Sequence, residues 1–194
     1  MKIGIMGGTF DPIHNAHLII AAYAREQFGL DELVFMTGGN PPHKTGVTDK
    51  YIRNEMTKLA VGNDFEISDY EVEKEEYSYT LRTLEYMKAK YPEDELFFII
   101  GEDSLRDIGK WYHPEEILKL CTLLVFPRNA AETLEQEIAA AKERFGGKIL
   151  AVDAPVFGIS SSEIRERIRQ GKSVRHMLPE PVWAYIREHG LYQE

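Results

Sequence analysis

The chain begins MKIGIMGGTFDPIHNAHL (residues 1–18). A strand-like run, KIGIM at 2–6, meets two glycines, and a helical pattern takes over at 15–28 (NAHLIIAAYAREQF), stopped by Gly29. A buried strand passing through a short turn into a helix is the opening unit of an α/β sheet, and such sheets bind ligands at that turn. Gly7 and Gly8 close the strand, where glycine permits a sharp turn and lets the backbone approach a ligand closely. The helix start supplies unpaired N–H groups and the positive end of a dipole, which together favour an anion. His14 and His17 stand three residues apart, share one helical face near that start, and can aim imidazole N–H groups at the same anion.

Other chemistries fit this stretch poorly. Asp11-Pro12 reads as a helix-start signal, with Asp11 a cap rather than a metal ligand. Two histidines make a zinc site only with further ligands, and no Cys or His cluster sits beside them. GGTF lacks both the Gly-Lys-Ser/Thr ending of a P-loop and the third glycine of the dinucleotide fingerprint.

Working outward, short apolar runs alternate with helical patterns. Strands are expected at 2–6, 32–37, 65–69, 95–101, 122–126 and 148–152. Helices are expected at 15–28, 49–61 (capped by Thr48), 79–90, near 103–108, 114–120, 131–145, 161–170 and 179–189, the last two stopped by Gly171 and Gly190. Runs such as ELFFIIG (95–101) are too apolar to face water on either side, which means a mostly parallel sheet covered by helices on both faces. The expected fold is therefore α/β: a single doubly wound, Rossmann-like domain over residues 1–194 with a helical C-terminal segment, 160–194. The loops after strands one, two, four and six become the places to look for a site.

The 194 residues suffice for a substantial core, and 43% hydrophobic with 28% charged residues is an ordinary soluble composition. No apolar run approaches membrane-spanning length, and the strand-like start does not read as a secretory leader. A net charge of -9 argues against general nucleic-acid binding but leaves room for a small phosphorylated ligand. Cys121, the only cysteine, has apolar neighbours and reads as a core residue. A cytoplasmic enzyme without nucleic-acid or membrane partners is expected; homo-oligomerisation stays open.

A second anion element stands at GISSSEIRERIRQG (158–171). Ser160 with Glu163 forms a capping box, so a helix begins there, and Ser161 and the free N–H groups make another phosphate site. Arg165, one turn in, can swing back to the same point as a bidentate donor.

GGTFDPIHNAH resembles the GTFDxxHxGH-like signature of the nucleotidyltransferase superfamily, with Ala16 where glycine is usual, and ISSSEIR resembles its ISSTxIR motif, with Ser162 for threonine. Three further stretches, GGNPPHK (38–44), YSYTLRTL (77–84) and IIGEDSLRDIGKWY (99–112), resemble the bacterial nicotinate-nucleotide adenylyltransferase family, as does the closing PEPVWAYIREHGLY. The likeness covers nearly the whole chain; Arg82 departs from it, standing where an acidic residue is usual.

The resemblance implies transfer of the adenylyl group of ATP to nicotinate mononucleotide, with release of pyrophosphate. It implies catalytic roles for His14, His17 and Arg165. ATP and its phosphates would lie against Gly7, Gly8, Thr9, Phe10, Ser160, Ser161, Gly101 and Asp103, the last two near ribose. The mononucleotide would take Trp111 as a stacking platform, backbone N–H groups near Thr80 and Tyr112 for its carboxylate, and Lys44 beside phosphate. Mg²⁺ is expected to arrive with ATP and keep most of its waters, because no carboxylate cage is visible. The rival readings are an adenylyltransferase for nicotinamide mononucleotide or phosphopantetheine, a non-catalytic nucleotide-binding module, and a Rossmann dehydrogenase, which the missing fingerprint disfavours. His43 and His113 read as structural.

Overall fold

The computed structural model describes residues 1–42, 45–128 and 133–193. In chain order the elements are β1 (Lys2–Gly8), α1 (Asn15–Phe28), β2 (Glu32–Thr37), α2 (Lys50–Val61), β3 (Glu66–Ser68), α3 (Thr80–Lys90) and β4 (Glu95–Gly101). There follow α4 (Glu102–Arg106), a single 3-10 turn at Ile108–Lys110, α5 (Pro114–Leu120), β5 (Thr122–Phe126), α6 (Leu134–Phe145), β6 (Ile149–Ala151), α7 (Ser161–Arg169) and α8 (Glu180–Glu188). The expected start of α6 at 131 falls outside the described residues.

The six strands form one sheet in the order β3-β2-β1-β4-β5-β6, and every pairing is parallel. The chain steps outward from β1 to β3, then returns to the other side of β1. The reversal opens a crevice beyond the carboxyl ends of β1 and β4.

Side-chain alternation explains why both faces are covered. Leu33 and Phe35 of β2, Phe97 and Ile99 of β4, and Leu124 and Phe126 of β5 pack on one face with Ile20 of α1, Met56 of α2, Ile164 of α7 and Val182 of α8. Their neighbours Val34, Met36, Phe98, Ile100, Leu123 and Val125 pack on the other face with Leu84 of α3, Ile117 of α5 and Ile138 of α6. Cys121 lies in this second core, and burial pushes its thiol pKa up to about 12.

Two local bounds move. Gly7 and Gly8 close the first strand, and β1 runs through them to Gly8 instead of stopping at residue 6, paired with Met36 and Thr37 of β2. Their missing side chains are required by packing, since a Cβ on Gly7 would meet the Phe98 ring at 2.9 Å and one on Gly8 the Phe10 ring at 2.5 Å. The cap of α2 is Asp49 rather than Thr48, its carboxylate accepting from the N–H groups of Tyr51 (2.9 Å) and Ile52 (3.4 Å).

Candidate active site

The loop leaving β1 turns at Phe10, whose φ is 50°, and enters α1 with His14 as the residue before its first turn. The His14 backbone N–H donates to Nδ1 of His17 at 3.2 Å. Because Nδ1 of His17 accepts, its ring proton sits on Nε2. The two rings stack with centroids 3.7 Å apart, and His17 stands edge-on to Phe10 at 5.0 Å. His14 is buried, and its Nδ1 has no hydrogen-bond partner among the described residues. Burial, with the Arg128 guanidinium adding to it, lowers the pKa of His14 to about 4. His14 is therefore a neutral imidazole at neutral pH.

Asp11 is not the cap of α1, because its carboxylate is held elsewhere. Oδ1 accepts from the Tyr192 hydroxyl at 2.7 Å and Oδ2 from the Thr48 N–H at 3.2 Å. Tyr192 belongs to the segment after α8, so the far end of the chain buttresses the opening loop.

Helix α7 meets that loop directly. Ser160 caps the helix, its hydroxyl accepting from the Glu163 N–H at 3.2 Å. Ser161 Oγ donates to the Pro12 carbonyl at 2.9 Å, and Arg165 Nη1 donates to the Asp11 carbonyl at 2.6 Å. The histidine pair and the serine-arginine helix thus border one cavity of about 700 Å³ at the crevice. That volume is in the range of pockets that enclose a small molecule.

The cavity wall includes Gly7, Gly8, Thr9, Phe10, His14, His17, Gly101, Ser161 and Arg165, together with Thr80 at the start of α3 and Trp111 just after the 3-10 turn. Three expected residues stand outside the wall. The Ser160 hydroxyl is turned to its capping bond. Asp103 is largely exposed and pairs with Arg106 at 2.9 Å and Arg128 at 3.8 Å. Tyr112 packs near Tyr79, centroids 5.1 Å apart, on the exposed surface. Lys44 lies outside the described residues, as does His43. His113, at φ 53°, precedes α5. Arg82 pairs with Glu85 at 2.9 Å on the exposed face of α3.

Sequence reasoning missed Arg128, which also lines the cavity. Its backbone N–H is anchored at 2.9 Å by the buried carboxylate of Glu102, which also takes Arg106 at 2.5 Å and the Thr133 hydroxyl at 3.2 Å. Nε of Arg128 is buried without a hydrogen-bond partner among the described residues. The signal was present in the sequence: a cation two residues beyond the apolar run TLLVF (122–126). Glu71 also reaches the wall, its carboxyl pKa raised by burial against a 2.5 Å hydrogen bond from the Thr83 hydroxyl.

Chemically the wall joins a stacked histidine pair, two guanidinium groups and two helix starts, those of α1 and α7, at the switch point of a parallel sheet. Fold and site together define a nucleotidyltransferase-type α/β protein. A family model described as cytidylyltransferase-like matches residues 5–167. A Clostridium botulinum (strain Loch Maree) protein named "probable nicotinate-nucleotide adenylyltransferase" is 42% identical over 196 residues, spanning 97% of this chain and 98% of its own. A Clostridium kluyveri protein of the same name is 42% identical over 202 residues, spanning all of both chains. The chain belongs to the cytidylyltransferase-like family and, within it, to the nicotinate-nucleotide adenylyltransferase family.

The fold is shared with Plasmodium falciparum nicotinic acid mononucleotide adenylyltransferase. Its structure with NaAD superposes with a TM-score of 0.77 at 21% identity, covering 98% of this chain and 97% of that one. Its structure with APC gives 0.73 at 20% identity, covering 98% and 96%.

Proposed function

We propose that the chain transfers the adenylyl group of ATP to nicotinate mononucleotide, forming nicotinate adenine dinucleotide and pyrophosphate. The observation that carries this reading is the seating of Ser161 and Arg165 on the carbonyls of Pro12 and Asp11, which sets two anion-binding elements face to face across one cavity. The full-length relatives named for this activity support it.

The mononucleotide's 5′-phosphate attacks the α-phosphorus of ATP in line. A new P–O bond forms, the bond to the bridging oxygen breaks, and pyrophosphate leaves with the electron pair. The second pKa of a phosphate monoester is about 6, so the nucleophile is already largely dianionic at neutral pH and needs no general base. The protein's work is to position two anions against their repulsion and to meet the charge of the transition state. His17 offers Nε2–H, and neutral His14 offers a ring N–H, to the triphosphate. Arg165 spends one donor on Asp11 and keeps the rest of its fork for phosphate. The N–H groups after β1 and Ser161 complete the cradle. Trp111 and the start of α3 at Thr80 take the pyridine ring and its carboxylate.

Mg²⁺ bound to the triphosphate would supply charge neutralisation. Among the described residues no group of three His, Cys, Asp or Glu side chains converges on a point, and both Asp11 oxygens are engaged. That donor set suits a cation carried by ATP.

The test is incubation with ATP, Mg²⁺ and nicotinate mononucleotide while following pyrophosphate and dinucleotide, with nicotinamide mononucleotide and phosphopantetheine in parallel. Dinucleotide formation preferring the acid is expected. Preference for another acceptor, or ATP binding without product, would replace this reading.

A further inference from the structure

Arg53 lies on α2 and is 1% exposed, among the largest fully buried side chains of the protein. A buried guanidinium is costly unless its donors are met. Here Nε donates to the Thr48 carbonyl at 2.7 Å, Nη1 to those of Thr9 at 2.6 Å and Gly38 at 2.7 Å, and Nη2 to that of Gly39 at 2.9 Å. All four acceptors are neutral backbone oxygens. Among the described residues no carboxylate forms a contact ion pair with Arg53; its donors are met by backbone dipoles, and Asp11, Asp49 and Glu71 act on its charge from further off.

The acceptors are informative. Thr9 follows β1, and Gly38 and Gly39 follow β2, so one side chain grips the loops leaving two adjacent strands at the crevice. A trans peptide points its C=O and N–H in opposite directions. Holding the Gly38 and Gly39 carbonyls therefore turns the N–H groups of Gly39 and Asn40 away from α2. They donate to Ser78 Oγ at 3.0 and 3.2 Å, and Ser78 lines the cavity. Holding the Thr9 carbonyl likewise turns the Phe10 N–H away from α2, and both Thr9 and Phe10 line the cavity. The Gly38 N–H ties the two loops together at the Gly8 carbonyl, at 2.8 Å. A lysine cannot replace this grip, because four carbonyls arrayed around a planar fork need the fork.

We infer that Arg53 is a positioning residue for the phosphate-bearing substrate. It fixes the peptide planes after β1 and β2 so that the Phe10 N–H is presented to an anion in the cavity. The inference rests on the adenylyl-transfer reading and touches substrate only through the backbone.

The test compares the full-length unmutated chain with Arg53→Lys, Arg53→Met and, as a stability control on the same helix, Val61→Ala. Urea midpoints, kcat and both KM values are measured on each. With Arg53→Lys, kcat should fall about tenfold or more while both KM values stay within about threefold, the mark of a donor that matters most in the transition state. Arg53→Met should lose that factor and in addition raise KM for ATP. Val61→Ala should lower the urea midpoint and leave kcat unchanged. Unaltered kcat in Arg53→Lys, or an equal kcat loss in Val61→Ala, overturns the inference. Should neither Arg53 variant fold, Ser78→Ala decides: it frees the same peptides from the other side and should lower kcat with little change in KM, and unchanged kcat refutes the positioning role. If the unmutated chain binds ATP but transfers nothing, the functional reading fails, and calorimetric ATP affinity then judges Arg53: weaker binding in Arg53→Met supports it and equal binding overturns it. An unmutated chain that binds no ATP overturns both.

Discussion

Arg165 donates through Nη1 to the backbone carbonyl of Asp11 at 2.6 Å, across 154 positions of sequence. The bond joins the start of α7 to the loop after β1 within the protein itself. The cavity between them is thus held open at a set width by protein–protein contacts, which spares the entropy of assembling it on binding. The Ser161–Pro12 hydrogen bond one turn earlier makes the attachment two-point, and a two-point attachment fixes orientation as well as distance.

His17→Ala removes one preorganised donor, together with the ring that packs on His14 and Phe10, so its folding is checked by urea midpoint alongside turnover. Turnover should fall by about 100-fold, equivalent to roughly 3 kcal/mol of transition-state stabilisation. Steady-state rates within a few-fold of the unmutated chain would remove His17 from the machinery.

Trp111 sits where the 3-10 turn meets the cavity, half-buried against the second core. Trp111→Ala should raise KM for the pyridine mononucleotide more than KM for ATP, since a flat ring loses its platform while the triphosphate keeps its donors. Equal changes in both constants would mean that the indole serves packing alone.

His14 makes stability depend on pH. In the unfolded chain its imidazole takes up a proton near pH 6.5, whereas in the fold burial delays that to about 4. Between those values the unfolded state binds more protons, so stability is complete above about pH 6.5 and falls as the pH drops toward 4. Moving from pH 7 to pH 5 should cost about 2 kcal/mol through this residue. Urea unfolding of the unmutated chain and of His14→Gln at both pH values checks it; parallel losses in the two proteins would assign the acid sensitivity elsewhere.

Gly39→Ala should be strongly destabilising, because a Cβ there would lie 2.1 Å from the Glu71 carbonyl, a backbone atom that cannot rotate aside. A loss of about 3 kcal/mol is expected for such overpacking, read as a lowered urea midpoint. At Gly46, whose φ is +65° with no atom within 4 Å of the added Cβ, alanine should bring only the smaller cost of a left-handed backbone. Equal losses at the two positions would contradict the steric account.

Much of the fold was legible because its signals are local. Apolar runs and helical spacing differ in period, so the strands and helices could be placed within a few residues, and glycines beyond α1, α7 and α8 marked their ends. The histidine pair and the serine-arginine helix were recognisable by residue type and spacing. Arg128 and Arg53 were not, because a lone arginine looks the same in sequence whether it is solvated or buried.

Sequence alone determined the alternation of elements, the double-sided burial of the sheet and the chemistry available at each helix start, since these depend on neighbours a few residues apart. Tertiary structure alone decided that residues 14–17 and 161–165 share a cavity, that Gly7 and Gly8 are bare to admit two phenylalanine rings, that Asp11 holds Tyr192 instead of capping a helix, and that His14 is neutral. Each of these depends on the order of strands across the sheet. That order is set by the summed path of every crossover, and it alone determines which distant side chains become neighbours and how much water is left between them.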